Sequence, residues 1–145
     1  MQSEQNQYRG GCHCSNISYQ LSSRRDWQKL VPRQCQCSFC MKHNNRYLSD
    51  SAGRLQVSIG QQRVSYYRFG HQLADFMVCG CCGVMPLVCS VIDGKRYAVI
   101  NINTLEPALE YSAVVAVDHN GEGLETRLQQ CRESWIADVT IIAEN

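Results

Sequence analysis

The chain has 145 residues, a net charge of +1 and 44% hydrophobic residues, values typical of one globular domain covering residues 1–145. Its 14 lysines and arginines are scattered and form no basic stripe, which argues against nucleic acid as a main partner. The first residues are polar and unlike a signal peptide, and no apolar run approaches the roughly 18 to 20 residues that span a bilayer. We therefore expect a cytoplasmic protein that has no membrane partner.

Alternating apolar and polar residues predict the first strands. Ile17, Tyr19 and Leu21 are apolar at every second position, as in a half-buried strand. The same period recurs in residues 55–59 and, after the turn-like residues 60–62, in Val64 and Tyr66. This pattern predicts a hairpin between the two segments.

The middle of the chain predicts a second hairpin. Residues 84–92 read VMPLVCSVI, which is typical of a strand covered on both faces, and Pro86 indicates an irregular start or an edge position. Asp93-Gly94 is a strong turn signal, and the return strand is residues 97–102.

The last part of the chain changes its periodicity. Residues 114–117 predict a short strand, and residues 139–142 predict a final one. Between them the apolar positions have helical spacing, at Leu124, Leu128, Cys131 and Trp135. The whole is expected to be a mostly β domain with a short C-terminal helix.

Ten cysteines are the most informative feature of the composition. In a reducing compartment, clustered thiols bind metal more often than they form disulfides. A secreted disulfide-bonded domain is the alternative, and the even number of cysteines suits it.

Seven of the cysteines form three short clusters. These are Cys12-x-Cys14, Cys35-x-Cys37-x-x-Cys40 and Cys79-x-x-Cys82. A zinc ion takes four ligands in a tetrahedron, so seven thiols divide most simply into four and three. The two distant pairs then make a closed structural site, whereas the triplet leaves one position open for water or substrate, as catalytic zinc does.

The spacing alone does not fix this division. A fourth ligand that closes the triplet is available in principle from His13, His43, His71, Cys81 or Cys89. Thiolates also suit iron as well as zinc. The two remaining cysteines on apolar segments, Cys89 and Cys131, are expected to be core residues.

At these residues the chain resembles the glutathione-dependent formaldehyde-activating enzyme (Gfa) family, also called centromere protein V-like. The resemblance covers residues 8–106, whereas residues 107–145 are peculiar to this chain. Its blocks are Gly11-Cys12-His13-Cys14, Cys35-Gln36-Cys37-Ser38-Phe39-Cys40, Tyr67-Arg68-Phe69-Gly70, residues 76–83 and Asn101-Ile102-Asn103-Thr104-Leu105-Glu106. Ser15 departs from the family pattern, which has glycine there, and Cys81 adds a thiol.

The resemblance implies an Mss4-like fold of antiparallel sheets with two zinc ions. It implies a structural ion on Cys12, Cys14, Cys79 and Cys82, and a catalytic ion on Cys35, Cys37 and Cys40. The implied activity is carbon–sulfur lyase chemistry on a thiol–aldehyde adduct such as S-hydroxymethylglutathione, with glutathione as the small-molecule partner.

Such chemistry needs a base and a site for the carboxylates of glutathione. His43, three residues after Cys40, is our candidate base, ahead of His71 and Asp50. Candidate carboxylate ligands near the motifs are Arg46, Arg54 and Arg68. Two other functions fit the same clusters: a non-catalytic protein-binding module with two structural ions, and a thiol redox sensor or metal buffer.

Overall fold

A computed structural model describes residues 5–111 and 113–143 of the chain. In these ranges the fold is mostly β, with eleven strands in two sheets and two short α-helices. The strands are β1 (Asn6–Gly11), β2 (Ile17–Ser23), β3 (Arg33–Cys35), β4 (Arg46–Leu48), β5 (Arg54–Ile59), β6 (Val64–Tyr67), β7 (Asp75–Cys79), β8 (Leu87–Ile92), β9 (Lys95–Asn101), β10 (Val115–Val117) and β11 (Asp138–Ala143). The α-helices are α1 (Ser38–His43) and α2 (Leu124–Ser134), and two 3-10 turns cover Trp27–Lys29 and Ile102–Thr104.

The smaller sheet has four strands in the order β1-β2-β5-β11. The pairs β1/β2 and β2/β5 are antiparallel, whereas β11 lies parallel to β5. Along β5 the side chains of Leu55, Val57 and Ile59 are buried and the intervening ones are exposed. The period-two prediction for β2 and β5 is thus confirmed, and each strand turns one face towards the core.

The larger sheet has seven strands in the order β10-β3-β4-β9-β8-β7-β6. At its centre, β8 and β9 form the predicted hairpin, whose turn places Asp93 and Gly94 at φ values of 52° and 77°. Both are left-handed, as a two-residue hairpin turn with matching twist requires. Pro86 precedes β8 and so removes no donor from the ladder between central strands.

The predicted hairpin between residues 55–59 and the segment that contains Val64 and Tyr66 is wrong. Strand β5 belongs to the four-stranded sheet, whereas β6 pairs with β7 in the seven-stranded sheet. The chain crosses between the sheets at a turn held by Asn16, whose side chain donates to the Gln62 carbonyl at 3.0 Å and accepts from the Gln62 amide at 2.9 Å. The free edge of β5 is taken by β11, from much later in the chain.

Two groups of apolar side chains fill the interior. One contains Ile17, Leu55 and Ile100, from strands of both sheets. The other contains Val88 and Val99 of the large sheet, with Cys131 of α2 and Trp135 just after it. The predicted helix is confirmed, although Leu124 at its start is 43% exposed and lies outside that group.

None of the helices described within residues 5–111 and 113–143 has the length and hydrophobicity needed to cross a membrane.

Candidate metal centres

Four thiols meet where the two sheets approach each other. Cys12 and Cys14 lie on the tight turn between β1 and β2, Cys79 ends β7, and Cys82 lies on the next turn. Their four sulfurs are all within 4.8 Å of one another. Ser15 has a φ of 70°, a left-handed conformation that glycine adopts without strain. The serine therefore keeps the turn that a glycine would favour.

Backbone amides point at the sulfurs of this four-thiol cluster. The amide of Ile17 donates to the Cys12 sulfur at 3.2 Å, and those of Cys81 and Cys82 donate to the Cys79 sulfur at 3.4 Å. Burial raises the pKa of the Cys82 thiol, but hydrogen bonds from the amides of Val84 and Cys14 and from the thiols of Cys79 and Cys12 together bring the pKa to about 6. Donors of this kind favour the thiolate, which is the form that binds a cation.

The second group contains the three remaining clustered thiols. Cys35 ends β3, Cys37 is the residue before α1, and Cys40 lies within the helix. Their sulfurs again lie within 4.8 Å of one another. The Cys37 sulfur accepts from the Cys40 amide at 3.4 Å and so caps the helix. Asn44, the first residue after the helix, has a left-handed conformation with φ of 55°. Sequence-local geometry alone therefore assembles this triplet.

The electrostatics of the triplet differ from one sulfur to the next. Hydrogen bonding from Cys40 lowers the pKa of Cys35 to about 5, and the same contact raises that of Cys40. The Tyr47 hydroxyl lies 3.1 Å from the Cys40 sulfur. Burial raises the pKa of Tyr47, which keeps its hydroxyl protonated and able to donate. A cation that binds the triplet would therefore displace the thiol protons into solvent, and the Tyr47 hydroxyl already lies beside one of the sulfurs.

All three thiols of the triplet line one cavity of about 710 Å³. This volume is in the range of small-molecule sites. Its apolar wall includes Leu73, Phe76, Val88, Val99, Val117 and Trp135. Its polar groups include Arg33, His71, His119, Glu122, Arg127 and Gln130. The four-thiol cluster, by contrast, does not line this cavity.

Among the described residues, no further side chain joins the triplet as a potential ligand. In the part of the chain that the structure describes, the group of potential ligands around Cys35, Cys37 and Cys40 contains these three residues alone. The five residues that the sequence offered for a closed site, His13, His43, His71, Cys81 and Cys89, are outside it. Two cysteine groups, of four and of three thiols, can therefore hold metal ions, and the smaller one opens into the cavity.

Two of the candidate bases lie away from the cavity. His43 is exposed at the end of α1 with its ring 4.6 Å from that of Phe39. Asp50 is buried and accepts a hydrogen bond from the Ser23 hydroxyl at 2.6 Å. His71 does line the cavity, as does His119, which sequence reasoning missed.

His119 is paired with a carboxylate at the cavity. Its Nδ1 lies 2.9 Å from Oε1 of Glu122, and Oε2 of Glu122 accepts from Gln130 at 2.7 Å. His71 Nε2 lies 2.9 Å from the Glu122 carbonyl oxygen, so the two loops that carry the histidines meet. Hydrogen bonding from His119 and then Gln130 lowers the pKa of Glu122. Glu122 is therefore the ionised member of the pair.

The three arginines proposed from the sequence are engaged elsewhere. Arg46 donates to Asn103, Arg54 pairs with Asp138 and Arg68 pairs with Asp75, and none of the three lines the cavity. Arg33 and Arg127 occupy it instead. Arg33 is two residues before Cys35 on β3, and side chains two residues apart on a strand lie on the same face, so the sequence could have indicated Arg33. Arg127 lies on α2, and nothing in its sequence position indicates that it reaches the cavity.

The last three cysteines take no part in either group. Cys89 and Cys131 are buried, which confirms the prediction that they are core residues. Burial raises the pKa of Cys89 to about 12 and that of Cys131 to about 11. Cys81 is exposed beside the four-thiol cluster.

The fold is shared with a solved structure. The crystal structure of a Rhodobacter sphaeroides protein, a structural genomics target, superposes with a TM-score of 0.56. It is 22% identical to this chain, and the match covers 75% of this chain and 99% of that one. At this identity the likeness concerns the fold alone. No protein-family model matches the sequence.

Proposed function

We propose that the protein is a zinc-dependent carbon–sulfur lyase of the formaldehyde-activating type, which cleaves a thiol–aldehyde adduct such as S-hydroxymethylglutathione. The observation that carries the proposal is the opening of the three-thiol group into a cavity of small-molecule size. A site with three protein ligands and room for a fourth, external one is the arrangement of catalytic zinc. The motif blocks of residues 8–106 support the choice of reaction.

The donor set of the cavity fits a soft divalent cation. Cys35, Cys37 and Cys40 supply thiolates, and amide and hydroxyl donors lie beside two of the sulfurs. When bound there, zinc supplies a Lewis acid that stabilises a sulfur anion. We assign the four-thiol cluster to a structural zinc that ties the two sheets together.

The residues of the chain provide the proton transfer. In a hemithioacetal the hydroxyl loses its proton, the carbon–oxygen double bond forms, and the carbon–sulfur bond breaks with its electron pair on sulfur. His119 is the proton acceptor that the cavity favours, in place of His43. Because Glu122 accepts from Nδ1, the lone pair of the neutral ring lies on Nε2. The apolar wall around Phe76 and Val99 limits access of water to the adduct.

Metal content and activity test this proposal together. Reduced protein should contain two equivalents of zinc by elemental analysis, of which a mild chelator removes one in step with the loss of S-hydroxymethylglutathione cleavage. Cys37→Ser should abolish cleavage and keep the fold, because serine replaces the helix-capping role of the Cys37 sulfur. Two equally tight ions without cleavage of the adduct would move the assignment to a protein-binding module, and a Cys37→Ser protein that still cleaves it would show that the three-thiol site is not the catalytic one.

A further inference from the structure

Two arginines in the cavity, Arg33 and Arg127, form no ion pair with any carboxylate in the described part of the chain. Arg33 donates to the Ser49 hydroxyl at 2.8 Å, and Arg127 donates to the side-chain oxygen of Gln130. Within residues 5–111 and 113–143, neither forms an ion pair with a carboxylate. Each guanidinium has five N–H donors, so most of the donors on both remain available for an oxyanion.

Both arginines share the cavity with the three thiols. Arg33 and Cys35 point to the same face of β3, and along an extended strand their Cα atoms are separated by about 7 Å. Arg127 lies in the first turn of α2 and lines the same cavity. One small molecule can therefore reach the thiols with one end and the arginines with the other.

The charge of this region favours a monoanion. Arg33 and Arg127 are both partly buried and line the same cavity, so two cations share one region with reduced access to water. The carboxylate of Glu122 is in the cavity, but its two oxygens are engaged by His119 and Gln130. A carboxylate placed between the arginines relieves their repulsion. A phosphate dianion is less suitable, because Glu122 and the thiolates already contribute negative charge.

We propose that Arg33 and Arg127 bind a carboxylate of the substrate, so that the cavity selects thiols and thiol adducts that carry a carboxylate over neutral ones. The inference rests on the proposed function for the identity of the reaction, but the preference for carboxylate-bearing thiols can be measured as binding without any reaction. It assigns a specificity role to α2, which lies outside the residues that carry the family resemblance.

Matched acids and amides test the selection directly. Zinc-loaded protein is titrated by calorimetry with mercaptocarboxylates from 3-mercaptopropionate to 6-mercaptohexanoate and with the corresponding amides. At least one acid should bind about tenfold or more tightly than its amide, and added salt should reduce the difference. Inorganic phosphate, added as a competitor, should displace the acid no better than acetate does; stronger displacement would overturn the assignment to a carboxylate.

Three variants locate the effect. Arg127→Gln and Arg33→Gln should each bring the affinity for the acid close to that for the amide, and leave the amide unchanged. Arg132→Gln is the control, because Arg132 is on the same helix but pairs with Asp93 outside the cavity. If Arg33→Gln fails to fold because Arg33 is half-buried, Arg127→Gln alone tests whether the arginines bind the carboxylate. Equal affinity for acid and amide in the wild type, or discrimination that survives in Arg127→Gln, overturns the inference.

The two proposals fail separately. Acid selection that depends on the arginines, without cleavage of any adduct, would contradict the lyase and leave the carboxylate site standing. Cleavage of acid and amide adducts with equal kcat/KM, unaffected by Arg127→Gln, would contradict the carboxylate site and leave the lyase standing.

Discussion

The Tyr47 hydroxyl is buried next to one sulfur of the three-thiol group. It lies 3.1 Å from the Cys40 sulfur, and Tyr47 is 7% exposed. Tyr47→Phe removes this donor with almost no change in shape. We expect the affinity of the three-thiol site for zinc to fall by about tenfold, the usual size of such outer-shell effects, while the four-thiol site is unchanged. Competition with a chromophoric chelator measures both sites, and equal affinities in variant and wild type would show that the hydroxyl does not support the thiolate.

Single residues of the site were predictable where their geometry is local. Cys35, Cys37 and Cys40 lie within six positions, and the spacing alone brings their sulfurs together. His119 and Arg127 reach the same cavity only through the tertiary fold, because β10 pairs with β3 and α2 packs beside it. Spacing along the chain holds no information about such an approach.

At the scale of elements, the β8–β9 turn offers a clean test of backbone strain. Gly94 has a φ of 77°, and a Cβ added there meets no atom within 4 Å. Gly94→Ala should therefore cost only the strain of the left-handed conformation, about 1 kcal/mol in the free energy of unfolding. Gly94→Asn is the matched control, because asparagine tolerates this conformation and should recover most of the loss. Urea denaturation measures the difference; equal stability of the alanine and wild-type proteins would contradict the turn geometry.

Seven of the eleven strands were predictable as elements, whereas β1, β3, β4 and β7 were not, and the partners of the predicted strands were not always predictable. The turn signal at residues 93–94 predicted the correct pairing, because a two-residue turn forces the two strands that flank it to pair as an antiparallel hairpin. The turn at residues 60–62 is held by the side chain of Asn16, which redirects β6 into the other sheet. The alternation of apolar and polar residues predicts which face of a strand is buried, but it does not predict which strand pairs with it.

For the whole molecule, the four-thiol cluster joins the β1–β2 turn of one sheet to the end of β7 in the other. Cys12→Ser should release the ion and lower the free energy of unfolding by on the order of 3 kcal/mol, or roughly 10 °C in Tm. Cys81→Ser is the control, since Cys81 is exposed and outside the group, and its Tm should be unchanged. Differential scanning calorimetry compares them with chelator-treated wild type; a Cys12→Ser protein as stable as wild type would contradict a structural role.

The parallel pairing of β11 with β5 also has a consequence for how the protein is made. About 80 residues separate the two strands, and at 5 to 20 residues per second a ribosome takes roughly 4 to 16 s to add them. Cys82 is synthesised soon after β5, so the four-thiol cluster is complete well before β11 emerges. During that interval a metal ion on the four thiols would hold the two parts of the nascent chain together while the edge of β5 stays unpaired. An open edge is where strands of other chains add, so we expect the yield of correctly folded chains to depend on the supply of metal and on how long β5 stays uncovered.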